Sequence, residues 1–194
     1  YDGFQFTNIA NCSPKIKDKT IVLNGVSKTY SMTGWRIGYM AGDAAIIGKA
    51  EALQSQSTSN PTSISQWAAL EAILGDQGVI TEMVTAFDRR RKIIVDGMNQ
   101  VPGFSCFMPN GAFYVFPNVS GAYKLPGWKK IADKYDAPVN SSKLGSYLLE
   151  EARVAIVPGA DFGSDSHIRL SFATSDDNIR NGVARIKEAM EKLA

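Results

Sequence analysis

The residue types best suited to chemistry follow a short β-branched run near the start of the chain. Residues 20–23 predict a buried strand, which is followed by Asn24-Gly25, then Lys28 and, eight residues later, Arg36. The carboxyl end of a strand is where α/β sheets place ligands. A lysine amine confined beside a cationic arginine is a better nucleophile toward an aldehyde, and the planar guanidinium suits a phosphate. On composition alone, however, such a pair is more often two surface charges.

The order of residues around this pair is more specific than the pair itself. Ser27-Lys28 followed by residues 33–39 (Thr-Gly-Trp-Arg-Ile-Gly-Tyr) closely resembles the cofactor-lysine motif of the fold-type I aminotransferases, and is most similar to that of the bacterial aspartate aminotransferases. The resemblance implies pyridoxal 5'-phosphate as the cofactor. It also implies that Lys28 is the catalytic residue, which bonds the cofactor and later moves a proton, and that Arg36 pairs with the phosphate. Many animal relatives carry a phosphate-binding serine where this chain has Gly25, so that contact is absent or made by backbone or by Ser27.

Three further segments resemble the same family. Residues 57–61 resemble a loop that reaches the neighbouring active site across a dimer interface, although an ordinary helix-capping turn fits them as well. Residues 109–116 resemble a hairpin of the small domain, and residues 157–173 resemble the segment that ends in the arginine for the substrate's α-carboxylate, here Arg169. Because an unpaired buried arginine is costly, we expect a carboxylate partner for Arg169. A structural ion pair is the alternative. His167 shares the strand face of Arg169, but an edge or core role is favoured.

The resemblance implies an enzyme that transfers an amino group between aspartate and 2-oxoglutarate, works as a homodimer and has amino-acid and 2-oxo-acid substrates. A prephenate or aromatic aminotransferase, or a carbon–sulfur lyase, would keep the same three residues. A different class of function is a non-catalytic interaction module that uses the basic cluster at residues 89–92. A salt-bridged or solvated helix face is the favoured interpretation of that cluster.

Composition narrows the function classes. The 21 basic and 19 acidic residues give a net charge of +2, which argues against a general nucleic-acid or membrane-surface protein. A single histidine makes a multi-histidine metal site very unlikely, and we expect no metal. A Ser-His-Asp hydrolase would need His167 as its base and lacks a G-x-S-x-G motif. The widely spaced Cys12 and Cys106 indicate free thiols in a reducing compartment, so we expect a cytoplasmic protein.

These motifs need an α/β framework to position them. The resemblance implies the C-terminal part of the large-domain sheet of a pyridoxal-phosphate transferase (residues 1–79) and an α+β small domain (residues 80–194), joined by a long helix. The sequence patterns predict strands at 20–23, 36–41, 104–108, 112–116, 153–157 and 167–172, with a hairpin turn at 109–111, and helices at 43–55, 61–75, 79–100, 141–152 and from 176 onward. Asp43 is expected to cap the first of these helices, and Asp176 or Asp177 the last. The second helix has apolar residues at helical spacing at 64, 67, 68 and 73, and the last helix has them at 179, 183, 186 and 190.

The chain begins at Tyr1 inside an aromatic stretch, without an initiating methionine. Family motifs expected upstream, such as the aspartate that pairs with the pyridine nitrogen, do not occur in it. We therefore expect a C-terminal fragment that binds the cofactor poorly and does not transaminate on its own.

Overall fold

A computed structural model describes residues 1–194 as two compact units. The N-terminal unit is Gly3–Met83, and the C-terminal unit is Val84–Ala194 together with Tyr1–Asp2. The boundary lies within one long helix, α4 (Gly78–Met98), close to the predicted division after residue 79. Mixed helix and sheet content is confirmed, whereas the assignment of the units to parts of a large and a small domain stays a prediction.

The N-terminal unit contains one two-stranded antiparallel sheet, three complete α-helices and the start of α4. Its helices are α1 (Pro14–Lys17), α2 (Ala44–Ser57) and α3 (Ser63–Leu74), and its strands are β1 (Val22–Gly25) and β2 (Gly38–Ala41). The strands pair from Val22 opposite Ala41 to Gly25 opposite Gly38. The prediction of a buried strand was wrong, because Leu23 is 76% exposed. A sheet of only two strands does not by itself form a buried layer, so a side chain such as that of Leu23 stays exposed.

The two helices that follow β2 differ in how well the sequence predicted them. The predicted cap of α2 is confirmed, since the Asp43 carboxylate accepts hydrogen bonds from two backbone amides of the first turn. The expected apolar face of α3 is not buried: Ile64 and Trp67 are 72% and 71% exposed, and the residues that pack inward are Ser65 and Ala69.

The C-terminal unit packs helices against a three-stranded antiparallel sheet. After α4, its helices are α5 (Trp128–Lys134), α6 (Asn140–Tyr147), which continues as a π-helical turn Leu148–Ala152, and α7 (Asp176–Glu191). Its strands are β3 (Tyr114–Val115), β4 (Val157–Pro158) and β5 (Ile168–Ser171), in the order β3-β5-β4.

One continuous hydrophobic core fills this unit, with residues of α4, α6, β5 and α7 among its members. The predicted inward face of α7 is confirmed, with Ile179, Ile186 and Met190 buried. Its cap is Ser175 rather than the predicted Asp176 or Asp177, because the Ser175 hydroxyl accepts from the amide of Asn178.

The hairpin predicted around Asn110-Gly111 does not form. Tyr114 pairs with Ser171 of β5, and the region expected to be its partner strand makes a single bridge, between Ser105 and Asn118. The loop carbonyl of Pro109 instead accepts a hydrogen bond from the Arg91 guanidinium at 2.8 Å. Tertiary contacts therefore outweigh the local turn preference.

The basic cluster at residues 89–92 is a salt-bridged helix segment, as favoured. Arg91 is fully buried, and the other three residues lie on or near the surface of α4. Each basic side chain has an acidic partner: Arg89 and Arg90 bind Asp176, Lys92 binds Asp88, and Arg91 binds Asp2 and Asp88. This arrangement favours the structural interpretation over an interaction module, because each charge of the cluster is paired within the chain.

None of the helices combines the length and the apolar character needed to span a lipid bilayer.

Candidate active site

The candidate site residues of the N-terminal unit follow the end of β1, where the chain enters a turn. Gly25 and Gly38 face each other there, and a Cβ atom on Gly25 would lie 3.2 Å from the Gly38 Cα atom. A side chain at either position would push the strands apart. Val26, which follows, is 1% exposed and fixes the turn in the interior, so that Ser27 and Lys28 follow from an anchored point.

Arg36 is held in an unusual backbone conformation. It follows the 3-10 helix Thr33–Trp35 with φ of 51°, in the left-handed region that a non-glycine residue rarely adopts. Its guanidinium donates a hydrogen bond to the carbonyl of Thr33 at 2.8 Å, which holds the side chain against its own turn. Strained residues of this kind cluster at functional sites because the surrounding structure enforces them.

Part of that enforcement comes from α3. The buried Ser65 hydroxyl donates to the Trp35 carbonyl at 2.8 Å, and the hydroxyl of Thr62 donates to Ser65 at 2.8 Å. Ser65 thus fixes the residue directly before Arg36. Ser65 was not predicted, because it is one of several polar residues in the first turns of the helix and nothing in the sequence distinguishes it.

The turn after Lys28 is also held by hydrogen bonds within the same unit. The Tyr30 hydroxyl donates to the Gln77 side-chain carbonyl at 3.1 Å, and the Ser31 hydroxyl contacts the sulfur of Met83 at 3.4 Å. The Ser31 amide donates back to the Lys28 carbonyl. These bonds fix the backbone that carries the lysine, while its side chain remains exposed.

Lys28 and Arg36 line one pocket of about 470 Å³. Asn24, Ser27 and Thr29 also line this pocket, so the residues around it carry a primary amine, a guanidinium, an amide and two hydroxyls. An amine can bond an aldehyde carbon, and the guanidinium and hydroxyls can donate to phosphate oxygens. The donor set therefore fits a phosphorylated aldehyde such as pyridoxal 5'-phosphate.

Arg169 belongs to the C-terminal unit, in the middle of β5. The alternative of a structural ion pair is not observed, because none of the ion pairs in the structure includes Arg169. Instead, its Cζ atom lies 4.6 Å from the ring centroid of Tyr114 and 4.6 Å from that of Phe162. The aromatic contacts stabilise the charge without using the N–H donors. The guanidinium is therefore available to an external carboxylate.

His167 has a structural environment, as the sequence analysis favoured. Its Nδ1 atom lies 2.7 Å from the Ser164 hydroxyl and 3.0 Å from that of Ser166. Its ring stacks on Phe116 at a centroid distance of 4.8 Å and an interplanar angle of 9°. These contacts use one ring nitrogen and one ring face within the chain.

The comparisons with known proteins agree with one another. A family model described as aminotransferase class I and II matches residues 1–186. The chain is 47% identical to an aspartate aminotransferase of Geobacillus stearothermophilus, covering all of this chain and 47% of that protein. It is also 47% identical to an aspartate/prephenate aminotransferase of Nitrosomonas europaea, over 95% of this chain and 45% of that protein.

Among solved structures, the aspartate aminotransferase of Rhizobium meliloti superposes with a TM-score of 0.90 at 40% identity, over all of this chain and 47% of that one. An aromatic aminotransferase of Pyrococcus horikoshii gives a TM-score of 0.84 at 31% identity, over 99% of this chain and 48% of that one. The chain thus spans about half the length of the relatives that it matches.

Proposed function

Because the chain belongs to the class I and II aminotransferase family, we propose that the whole protein uses pyridoxal 5'-phosphate to transfer an amino group between aspartate and 2-oxoglutarate. The observation that carries the proposal is the shared pocket of Lys28 and Arg36 at the end of β1. A nucleophilic amine and a phosphate-binding guanidinium on a fixed backbone are what this chemistry requires of the protein.

Each residue of this pocket has a specific role in the proposal. Arg36 and the Ser27 hydroxyl would hold the phosphate, and the Lys28 amine would hold the aldehyde carbon until the amine of the substrate takes its place. When bound, the cofactor supplies an electron sink for the bond broken at the substrate's α-carbon. Lys28 would then move the proton from the substrate's α-carbon to the cofactor and, in the second half of the reaction, from the cofactor to the α-carbon of the 2-oxo acid, which is general acid–base work for an amine.

Arg169 binds the substrate's α-carboxylate in this proposal. A guanidinium recognises a carboxylate through two parallel N–H···O bonds, which orients the substrate as well as binding it. The unpaired state of Arg169 among aromatic rings supports this role.

Aspartate is favoured as the amino donor because the relatives at 45–47% identity include two that are named aspartate aminotransferase. Prephenate, a 2-oxo acid, is a second candidate substrate as the amino acceptor, since the Nitrosomonas relative is named for both aspartate and prephenate. A panel of amino donors that includes aspartate, phenylalanine and the amino acid derived from prephenate separates the two.

The test of the catalytic role is Lys28→Ala in the whole protein. Loss of the proton carrier should lower kcat by at least about 100- to 10,000-fold. Lys49→Ala, which changes an exposed lysine of α2, is the matched control and should keep the wild-type rate. Arg169→Ala should mainly raise KM for substrates with an α-carboxylate. Wild-type turnover by Lys28→Ala would rule out the proposed catalytic role.

A further inference from the structure

The face of the C-terminal sheet that carries Arg169 is set by strand alternation. Ile168 and Leu170 of β5 point into the core, so Arg169 and Ser171 point to the opposite face. Tyr114 lies opposite Ser171 in the register and therefore presents its ring on the same face, diagonal to Arg169. The sheet itself thus places one aromatic ring beside the guanidinium.

The second ring comes from outside the sheet, on the short 3-10 helix Gly159–Phe162. Gly159 packs directly on the strand: its amide donates to the His167 carbonyl at 2.9 Å, and a Cβ atom there would lie 2.2 Å from that oxygen. Gly163 ends the turn with φ of 80°. Two glycines therefore let the helix approach β5 closely enough for Phe162 to reach Arg169.

Phe162 is supported in turn by a further aromatic layer. The rings of Phe116 and Phe162 meet edge to face, with their centroids 6.1 Å apart. Phe116 also stacks on the ring of His167. The two serine hydroxyls at positions 164 and 166 fix the histidine ring. A half-exposed phenylalanine thus has a defined orientation, which an isolated surface ring would lack.

We propose that Tyr114 and Phe162 are positioning residues that hold the guanidinium of Arg169 ready for a carboxylate, with Phe116 and His167 supporting Phe162. This inference rests on the proposed role of Arg169 in binding the α-carboxylate. The rings attract the cation through their faces and accept none of its N–H donors. The guanidinium is therefore oriented before the ligand arrives, which lowers the entropic cost of binding.

The test uses NMR of the 194-residue chain, with the Arg169 side-chain Nε–Hε signal as the reporter and Arg169→Lys for its assignment. In the wild type, we expect this signal to be displaced by ring currents before any ligand is added. Titration with succinate should then move it. Phe162→Leu should remove the ring-current displacement and weaken succinate binding by roughly fivefold, the effect of losing one cation–π contact.

Three variants complete the experiment. Phe162→Tyr keeps a ring and should behave as the wild type. Phe107→Leu changes a phenylalanine that is 88% exposed and outside the aromatic layers, so it should change nothing. Tyr114→Leu should resemble Phe162→Leu, and it provides a second test should one variant be unstable.

The outcomes separate the two proposals. An undisplaced Arg169 signal in the wild type, or unchanged displacement and succinate affinity in both leucine variants at positions 114 and 162, would overturn the positioning role. A displaced signal that responds to both substitutions but not to succinate would support the positioning of the guanidinium and contradict the carboxylate-binding role of Arg169.

Discussion

The positive charges of Arg91 and Arg169 are stabilised by different kinds of contact. Arg91 is fully buried and bonds two carboxylates, at 2.8 Å to Asp2 and 2.5 Å to Asp88, and a backbone carbonyl. A buried guanidinium needs such partners, because removing it from water is costly. Arg169 is only half-buried and packs on rings, which leaves its hydrogen-bonding capacity unused. This difference distinguishes a structural arginine from a binding one.

The two cysteines should differ sharply in reactivity. Both are free, as expected from their spacing, but Cys12 is exposed and Cys106 is buried. Burial raises the pKa of the Cys106 thiol from 9.0 to about 11, because the thiolate is disfavoured away from water. We expect an Ellman titration of the native chain at pH 8 to detect one fast thiol, with the second appearing only in denaturant.

Cys12→Ser is the control for this assignment. It should abolish the fast reaction at pH 8 and leave a single thiol that reacts after unfolding. A fast-reacting thiol in the native Cys12→Ser chain would show that Cys106 is accessible, contrary to its buried position.

At the scale of elements, the sequence predicted best where local pattern and packing agree. Helix α7 shows apolar residues at helical spacing, and the same residues are buried against the core. The hairpin prediction was wrong because it relied on the local turn preference of Asn110-Gly111. The strand pairing that forms instead, between Tyr114 and Ser171, joins residues far apart in sequence. Long-range pairing of this kind leaves no signal in a short window.

The candidate site follows the same distinction. The order of residues in the motif predicted Lys28 and Arg36 as site residues, and both line one pocket in the structure. Ser65 could not be found, because its importance lies in one hydrogen bond to the backbone of Trp35, which is thirty residues away in sequence. The aromatic neighbours of Arg169 could not be predicted from the sequence either, since they depend on strand register and on the position of a short helix.

Two helical glycines should respond in opposite ways to alanine. Gly97 lies where α4 meets α7, and a Cβ atom there would be 2.5 Å from a methyl carbon of Val183, a stiff β-branched side chain. Gly182 on α7 has open space around the same position. We expect Gly97→Ala to lower the free energy of unfolding by about 1–3 kcal/mol through overpacking, and Gly182→Ala to raise it by roughly 0.5–1 kcal/mol through helix propensity.

Urea denaturation of the two variants measures both changes. The double variant Gly97→Ala/Val183→Ala tests the cause, because removing the valine methyls should relieve part of the overpacking. Equal stability of Gly97→Ala and Gly182→Ala would show that the helices do not approach each other closely at Gly97.

At the scale of the whole molecule, the two units differ in how much apolar surface they leave exposed. The C-terminal unit buries most of its large apolar side chains in one core. In the N-terminal unit, Ile64, Trp67 and Leu74 of α3 are each more than 70% exposed. An apolar helix face of this kind in water is typical of a surface that another chain or segment covers.

We therefore expect the 194-residue chain to self-associate through α3. Sedimentation velocity over a range of concentrations should show species larger than the 21.0 kDa monomer. Trp67→Glu should shift the distribution toward the monomer, because a charge in the middle of the apolar face must be desolvated on association. Phe107→Glu changes a still more exposed aromatic residue that belongs to the other unit, and should leave association unchanged. A concentration-independent monomer in the wild type would contradict this expectation, and equal effects of the two substitutions would show that association does not depend on α3.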